Sequence, residues 1–129
     1  MKTSLLLVML GMSFMYCQNN VYVQGERLYG TYCANCHGTD GNGLKNLYPP
    51  LNKSDYLAEN NHKAACIILN GLEDEIVVNG KDYMMPMAGF SNLTDVDITN
   101  IVNYINTAWD NEIPETSIQK VKANLQSCN

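Results

Sequence analysis

Cys33-Ala34-Asn35-Cys36-His37 is the stretch on which the reading of this chain turns. Two thiols three positions apart on one turn of helix can each add to a vinyl group of the same porphyrin, and the adjacent imidazole can then ligate its iron. The C-x-x-C-H pattern is that of covalent haem attachment, which makes Cys33, Cys36 and His37 candidate cofactor-binding residues and His37 a candidate iron ligand. Two other chemistries use the same cysteine pair. A thioredoxin-like redox pair needs a strand-helix-strand surround that the flanking pattern does not supply. A zinc site could take Cys33, Cys36, His62 and Cys66, four soft ligands at C-x2-C and H-x3-C spacing, but it leaves His37 idle.

Further along the chain stands Met84-Met85-Pro86-Met87. An iron held by one imidazole has a sixth position to fill, and a thioether sulfur there raises the reduction potential and closes the iron to oxygen. Methionine is otherwise an adaptable filler of cores. Three methionines around a proline, between a turn and a helix start, suit a ligand loop better than a core.

Around these two motifs, over about residues 24 to 109, the chain resembles class I cytochromes c. Gly25-Glu26-Arg27-Leu28-Tyr29 running on to Cys33 looks like their amino-terminal helix, and Ile101-Val102-Asn103-Tyr104-Ile105 like their carboxy-terminal helix. The resemblance implies that the two helices cross at Gly25 and Tyr104. Glycine inside a helix costs about 1 kcal/mol relative to alanine, so close backbone approach is a reason for its presence. Tyr48-Pro49-Pro50-Leu51 is similar to the family's proline stretch, in which a backbone carbonyl accepts the outer N–H of the proximal histidine and fixes its ring. Counting back two from Leu51 selects Pro49.

For the sixth ligand the resemblance offers two guides. A Met-Pro dipeptide selects Met85, whereas placement about six residues before the leucine that leads into the last helix selects Met87 from Leu93. Helix register constrains position more than one dipeptide does, so Met87 is the expected iron ligand, with Met85 and then Met84 as alternatives. The implied fold is all-α, three to five helices wrapped around one covalent haem c. The implied function is transfer of single electrons between redox partners, with no catalytic residues. Similarity of residues 79–111 to cytochrome domains attached to oxidases and dehydrogenases keeps open a fixed subunit of such a complex. An open-iron haem enzyme or sensor is the third alternative.

Local signals agree with this fold class. Helices are expected over 24–36, over 54–70 with Gly71 as the stop, and over 95–109, where Thr94 and Asp97 stand at capping-box spacing. Val96, Ile98, Ile101, Val102 and Ile105 approximate one apolar face. Residues 75–83, with Asn79-Gly80 at the turn, predict a short β-hairpin. An extra helix from about residue 115, on Ile118, Val121 and Leu125, follows Pro114.

The amino terminus carries Lys2 and then an apolar run from Leu5 to Met15, shorter than the roughly twenty residues a bilayer requires. Residues 1–16 read as a signal peptide, 17–23 as a tether, and 24–129 as one domain. Export places the protein in the periplasm, or on a membrane facing it or the cell exterior. Cys17, followed by Gln18, Asn19 and Asn20, resembles the lipid-attachment cysteine of bacterial lipoproteins, although Tyr16 is larger than the residue usual there. A lipid on Cys17 would make a membrane surface a partner. Removing Lys2 with the leader leaves 7 Lys and Arg against 13 Asp and Glu, a charge of −6. That balance disfavours nucleic acid and favours redox partners with basic docking surfaces. Cys66 and Cys128 are left over, as a disulfide in an oxidising setting or as two free thiols.

Overall fold

The computed structural model describes residues 22–128. The signal peptide, most of the tether, and Cys17 lie outside the described residues. In chain order the α-helices are α1 (Val23–Tyr32), α2 (Ala34–His37), α3 (Asp55–Glu59), α4 (Ala64–Asn70), α5 (Asp95–Thr107) and α6 (Ile118–Gln126), with 3-10 turns at Asn61–Lys63 and Ala108–Asp110. Four short strands, β1 (Gly71–Leu72), β2 (Ile76–Val78), β3 (Lys81–Tyr83) and β4 (Met87–Ala88), lie between α4 and α5.

The frame is the crossing of α1 over α5. A Cβ on Gly25 would run into the Asn100 carbonyl oxygen and lie 2.8 Å from the Tyr104 Cβ, so this crossing has room only for hydrogen at position 25. The Tyr29 and Tyr104 rings pack beside it at 5.3 Å, and Ile98, Ile101, Val102 and Ile105 fill the buried face of α5. Val96, expected on that face, is instead 53% exposed. Asn103 and Asn106 are buried in its stead. Their amides are not wasted: Asn103 exchanges two hydrogen bonds with the backbone of Thr116 at 2.8 and 3.0 Å, and Asn106 donates to the Pro114 carbonyl at 3.0 Å. Polar groups are tolerated inside because each finds a partner, here the incoming tail.

Two expected helices are divided. The 24–36 stretch bends at Cys33, whose N–H still bonds Tyr29 O at 2.8 Å, so α1 and α2 remain nearly continuous. The 54–70 stretch breaks at Asn60, which leaves helical geometry (φ −107°, ψ 20°) and turns its side chain back onto the Tyr56 carbonyl. Asparagine competes with the helix for backbone groups in this way, and the chain has two in succession. Gly71 ends α4 as expected, at φ 88°.

The hairpin forms with the register Ile76↔Tyr83 and Val78↔Lys81. Asn79 and Gly80 both have positive φ, 51° and 75°, as a two-residue turn matched to strand twist requires. A second ladder, Gly71↔Ala88 and Leu72↔Met87, was not anticipated. Two residues are too few to show a period.

The capping box of α5 is complete. Thr94 Oγ1 accepts the Asp97 N–H at 3.2 Å, and Asp97 Oδ2 accepts the Thr94 N–H at 3.0 Å and its hydroxyl at 2.6 Å. Bonds from the Thr94 side chain and then its backbone hold the Asp97 carboxyl below its ordinary 3.8. A depressed carboxyl contributes stability above its unfolded value and loses it as pH falls through the folded one. Thr94→Ala should therefore cost about 1 kcal/mol at neutral pH. The gap from the parent protein should narrow at about pH 3, read by thermal melts at both pH values.

The tail is held at several points. Ser117 caps α6 by accepting the Lys120 N–H, Val121 is buried to 1% exposure, and Cys66 of α4 is joined to Cys128 by a disulfide with Cα atoms 5.6 Å apart. The bond uses the sulfur that a zinc site over Cys33, Cys36, His62 and Cys66 would have needed.

Candidate functional site

Beneath the α1–α5 frame opens a cavity of about 310 Å³. It gathers Cys33, Cys36 and His37 from α2 and its approach, Pro49 from the loop that follows, and Met85 and Met87 from the segment before α5. Its remaining walls are mainly apolar, with Ile68 from α4, Val78 and Tyr83 from the hairpin, and Ile101 and Ile105 from α5. Met84 does not line it and is 73% exposed.

His37 is buried, and its Nδ1 stands 2.9 Å from the Pro49 carbonyl oxygen. A carbonyl only accepts, so Nδ1 carries the hydrogen and donates it. The lone pair is then on Nε2, the one ring nitrogen left to ligate a metal. Burial draws the imidazole pKa below 6.5, and the Pro49 bond opposes that shift more weakly. The ring is thus neutral at pH 7, as metal ligation requires. Burial, and then Cys36, push the Cys33 thiol up to about 12.

The loop that presents Pro49 is built on glycine. Gly43, at φ 71°, donates its N–H to the His37 carbonyl at 2.7 Å, and a Cβ there would lie 2.8 Å from the Pro49 oxygen. The Gly41-Asn42-Gly43 spacing is the sequence signal for this close turn, although periodicity alone does not reveal what it presses against. On the methionine side, Met87 is held by its pairing with Leu72. A Cβ on Gly71 would strike the Met87 carbonyl, so the ladder packs tightly there.

The donor set suits an iron porphyrin: two sulfurs for thioether bonds, one imidazole with a free nitrogen, thioether sulfurs, and mainly apolar walls. The family model described as Cytochrome c matches residues 22–109. The chain belongs to the cytochrome c family. Among the relatives of this cytochrome, cytochrome c-552 of Thermus thermophilus is 35% identical over 89 residues, covering 66% of this chain and 67% of that one. The cytochrome c subunit of a quinone alcohol dehydrogenase from Gluconacetobacter polyoxogenes is 30% identical over 102 residues, 76% of this chain and 21% of the subunit. The cbb3-type cytochrome c oxidase subunit CcoP of Rubrivivax gelatinosus is 29% identical over 104 residues, 81% and 31%. This cytochrome spans 60% of a second cytochrome c-552, from a named strain of the same species, and less than a third of the dehydrogenase and oxidase subunits. With the family come a covalently attached haem c with its iron, and electron transfer in place of substrate turnover.

Proposed function

We propose that Cys33 and Cys36 form the two thioethers to haem c, that His37 Nε2 and the Met87 sulfur are the axial ligands, and that the protein shuttles single electrons between exported or membrane-bound redox partners. The observation that carries this reading is the one cavity that gathers the motif cysteines, the histidine and the methionine. The haem supplies a one-electron ferrous/ferric couple. The chain's own residues do the rest: Pro49 orients the imidazole, the mainly apolar walls limit access of water, and the Met87 sulfur would close the iron to oxygen.

Partners dock beside the hairpin, where Val77, Met84 and Met85 are exposed apolar groups and Glu73, Asp74, Glu75 and Asp82 are exposed acids. That combination suits partners with a basic rim around an apolar contact, the charges guiding the encounter. Export through the leader is part of the same proposal, and so is a lipid on Cys17. No helix among the described residues is long and apolar enough to cross a membrane.

A fixed place in a larger dehydrogenase or oxidase is the second reading, favoured by the likeness to subunits of both. The test of the first reading is extraction of the purified holoprotein with acidified organic solvent. The pigment should stay with the polypeptide, and in the Cys33→Ala, Cys36→Ala double variant little or none should be found bound covalently. A pigment stripped cleanly from the parent protein overturns the assignment.

A further inference from the structure

We infer that Asn111, beyond the end of α5, is a positioning residue that sets the hydrogen bond between His37 and Pro49 and through it the redox equilibrium. The inference rests on the proposed ligation by His37. Three bonds carry it. The Asn111 amide nitrogen donates to Leu51 O at 3.0 Å and to Ile105 O at 2.6 Å, and its Oδ1 accepts the Lys53 N–H at 2.6 Å. One side chain therefore ties the backbone two and four residues after Pro49 to a terminal carbonyl of α5.

Each end of that tie leads to the same imidazole. Through Ile105 it reaches α5, which crosses α1 at Gly25, and α1 runs into Cys33–His37. Through Leu51 and Lys53 it reaches the loop that carries the accepting carbonyl. Upstream of Pro49 the loop is held by the Gly43 N–H bond to His37 O and the Leu44–Tyr48 bridge, and downstream by N–H bonds from Leu51 and Asn52 to Gly41 O and the Asn52–Asn42 side-chain bond. All of these are internal to residues 37–52, so Asn111 is what ties this segment to the end of α5. The Lys53 ammonium adds one bond, to the Asp110 carbonyl at 2.9 Å.

The backbone around Asn111 is bent to make this reach. Trp109, Asp110 and Glu112 have φ of 54°, 59° and 53°, a left-handed conformation that non-glycine residues rarely hold without compensation. The Trp109 ring lies where a Cβ on Gly41 would come within 2.6 Å, so the same turn presses on the loop at a second point. The family match ends at Trp109, and the latch is formed just past it.

A stronger N–H···O bond makes the imidazole a better donor to iron and favours the oxidised form, so slackening it should favour the reduced form. For Asn111→Ala in the holoprotein the reduction equilibrium constant should rise about three-fold, or about 30 mV at 59 mV per tenfold for one electron. The His37 Nδ1–H proton resonance of the reduced protein should shift and exchange faster. Ser117→Ala, which uncaps α6 and leaves all three Asn111 bonds in place, is the control and should lower only the melting temperature. Should Asn111→Ala fail to fold, Asn111→Asp keeps the acceptor for Lys53 and loses both donated bonds; there the shifted and faster-exchanging His37 Nδ1–H resonance is the deciding readout, because the added negative charge by itself favours the oxidised form. A lowered melting temperature with unchanged potential and unchanged resonance overturns the inference while the parent spectrum stands. A parent protein without histidine-ligated haem overturns the ligation itself.

Discussion

Met87→Ala should abolish the far-red absorption band of sulfur-to-iron charge transfer and let carbon monoxide bind the reduced protein without denaturant, while Met85→Ala keeps the band. The expectation follows from how the two backbones are held. Met87 is in β4, paired with Leu72, with its carbonyl against Gly71 and the chain continuing into the Phe90 N–H bond to Ile68 O at 2.9 Å. Met85 is 48% exposed and lies outside any strand. An axial ligand needs a fixed point of departure, since each side-chain torsion left free is entropy to be lost on ligation. A sulfur ligand also raises the potential, so its loss should lower it. If the band survives Met87→Ala and disappears in Met85→Ala, the ligand is Met85 and the β1–β4 ladder has only a structural use.

Replacing Cys66 and Cys128 together by serine should cost on the order of 4 kcal/mol. The two residues are 62 apart in sequence, and closing a loop of that length removes about this much chain entropy from the unfolded state. For a domain near one hundred residues that is a fall in melting temperature of roughly 15 to 30 °C. The visible spectrum should be unchanged, because Cys33, Cys36, His37 and Met87 owe their placement to α1, α5 and the β1–β4 ladder. An unchanged melting temperature would mean that the asparagine bonds to the tail already hold α6 and that the unfolded chain is compact enough to gain nothing from release.

Much of the frame was legible in the sequence for a definite reason. Gly25, the capping box at Thr94 and Asp97, and the Asn79-Gly80 turn each state a local requirement that one residue type satisfies, and each is used as expected. The positions that misled depend on something distant. Val96 fits the apolar period yet faces solvent, and Asn103 and Asn106 break the period yet are buried, because residues 114–116 arrive from outside the helix to bond them. The two-residue β1–β4 ladder carries no period to read. Among the three methionines, helix register singles out Met87; the ladder that holds its backbone and the exposure of Met84 are not encoded in any dipeptide.

The four cysteines among the described residues meet different fates, two as free thiols awaiting carbon and two joined to each other. Ring closure favours the nearest neighbours, by about 3 kcal/mol for the short pair over the distant one. Cys33 is withdrawn from that competition once the α1–α5 crossing has formed. Its burial, and then the neighbouring Cys36, push the thiol well above the ordinary range, and a thiol that resists ionising is a poor attacker of other sulfur bonds. Packing at one helix end thereby removes Cys33 from the exchange, and the staple between Cys66 and Cys128 can close without being undone by it.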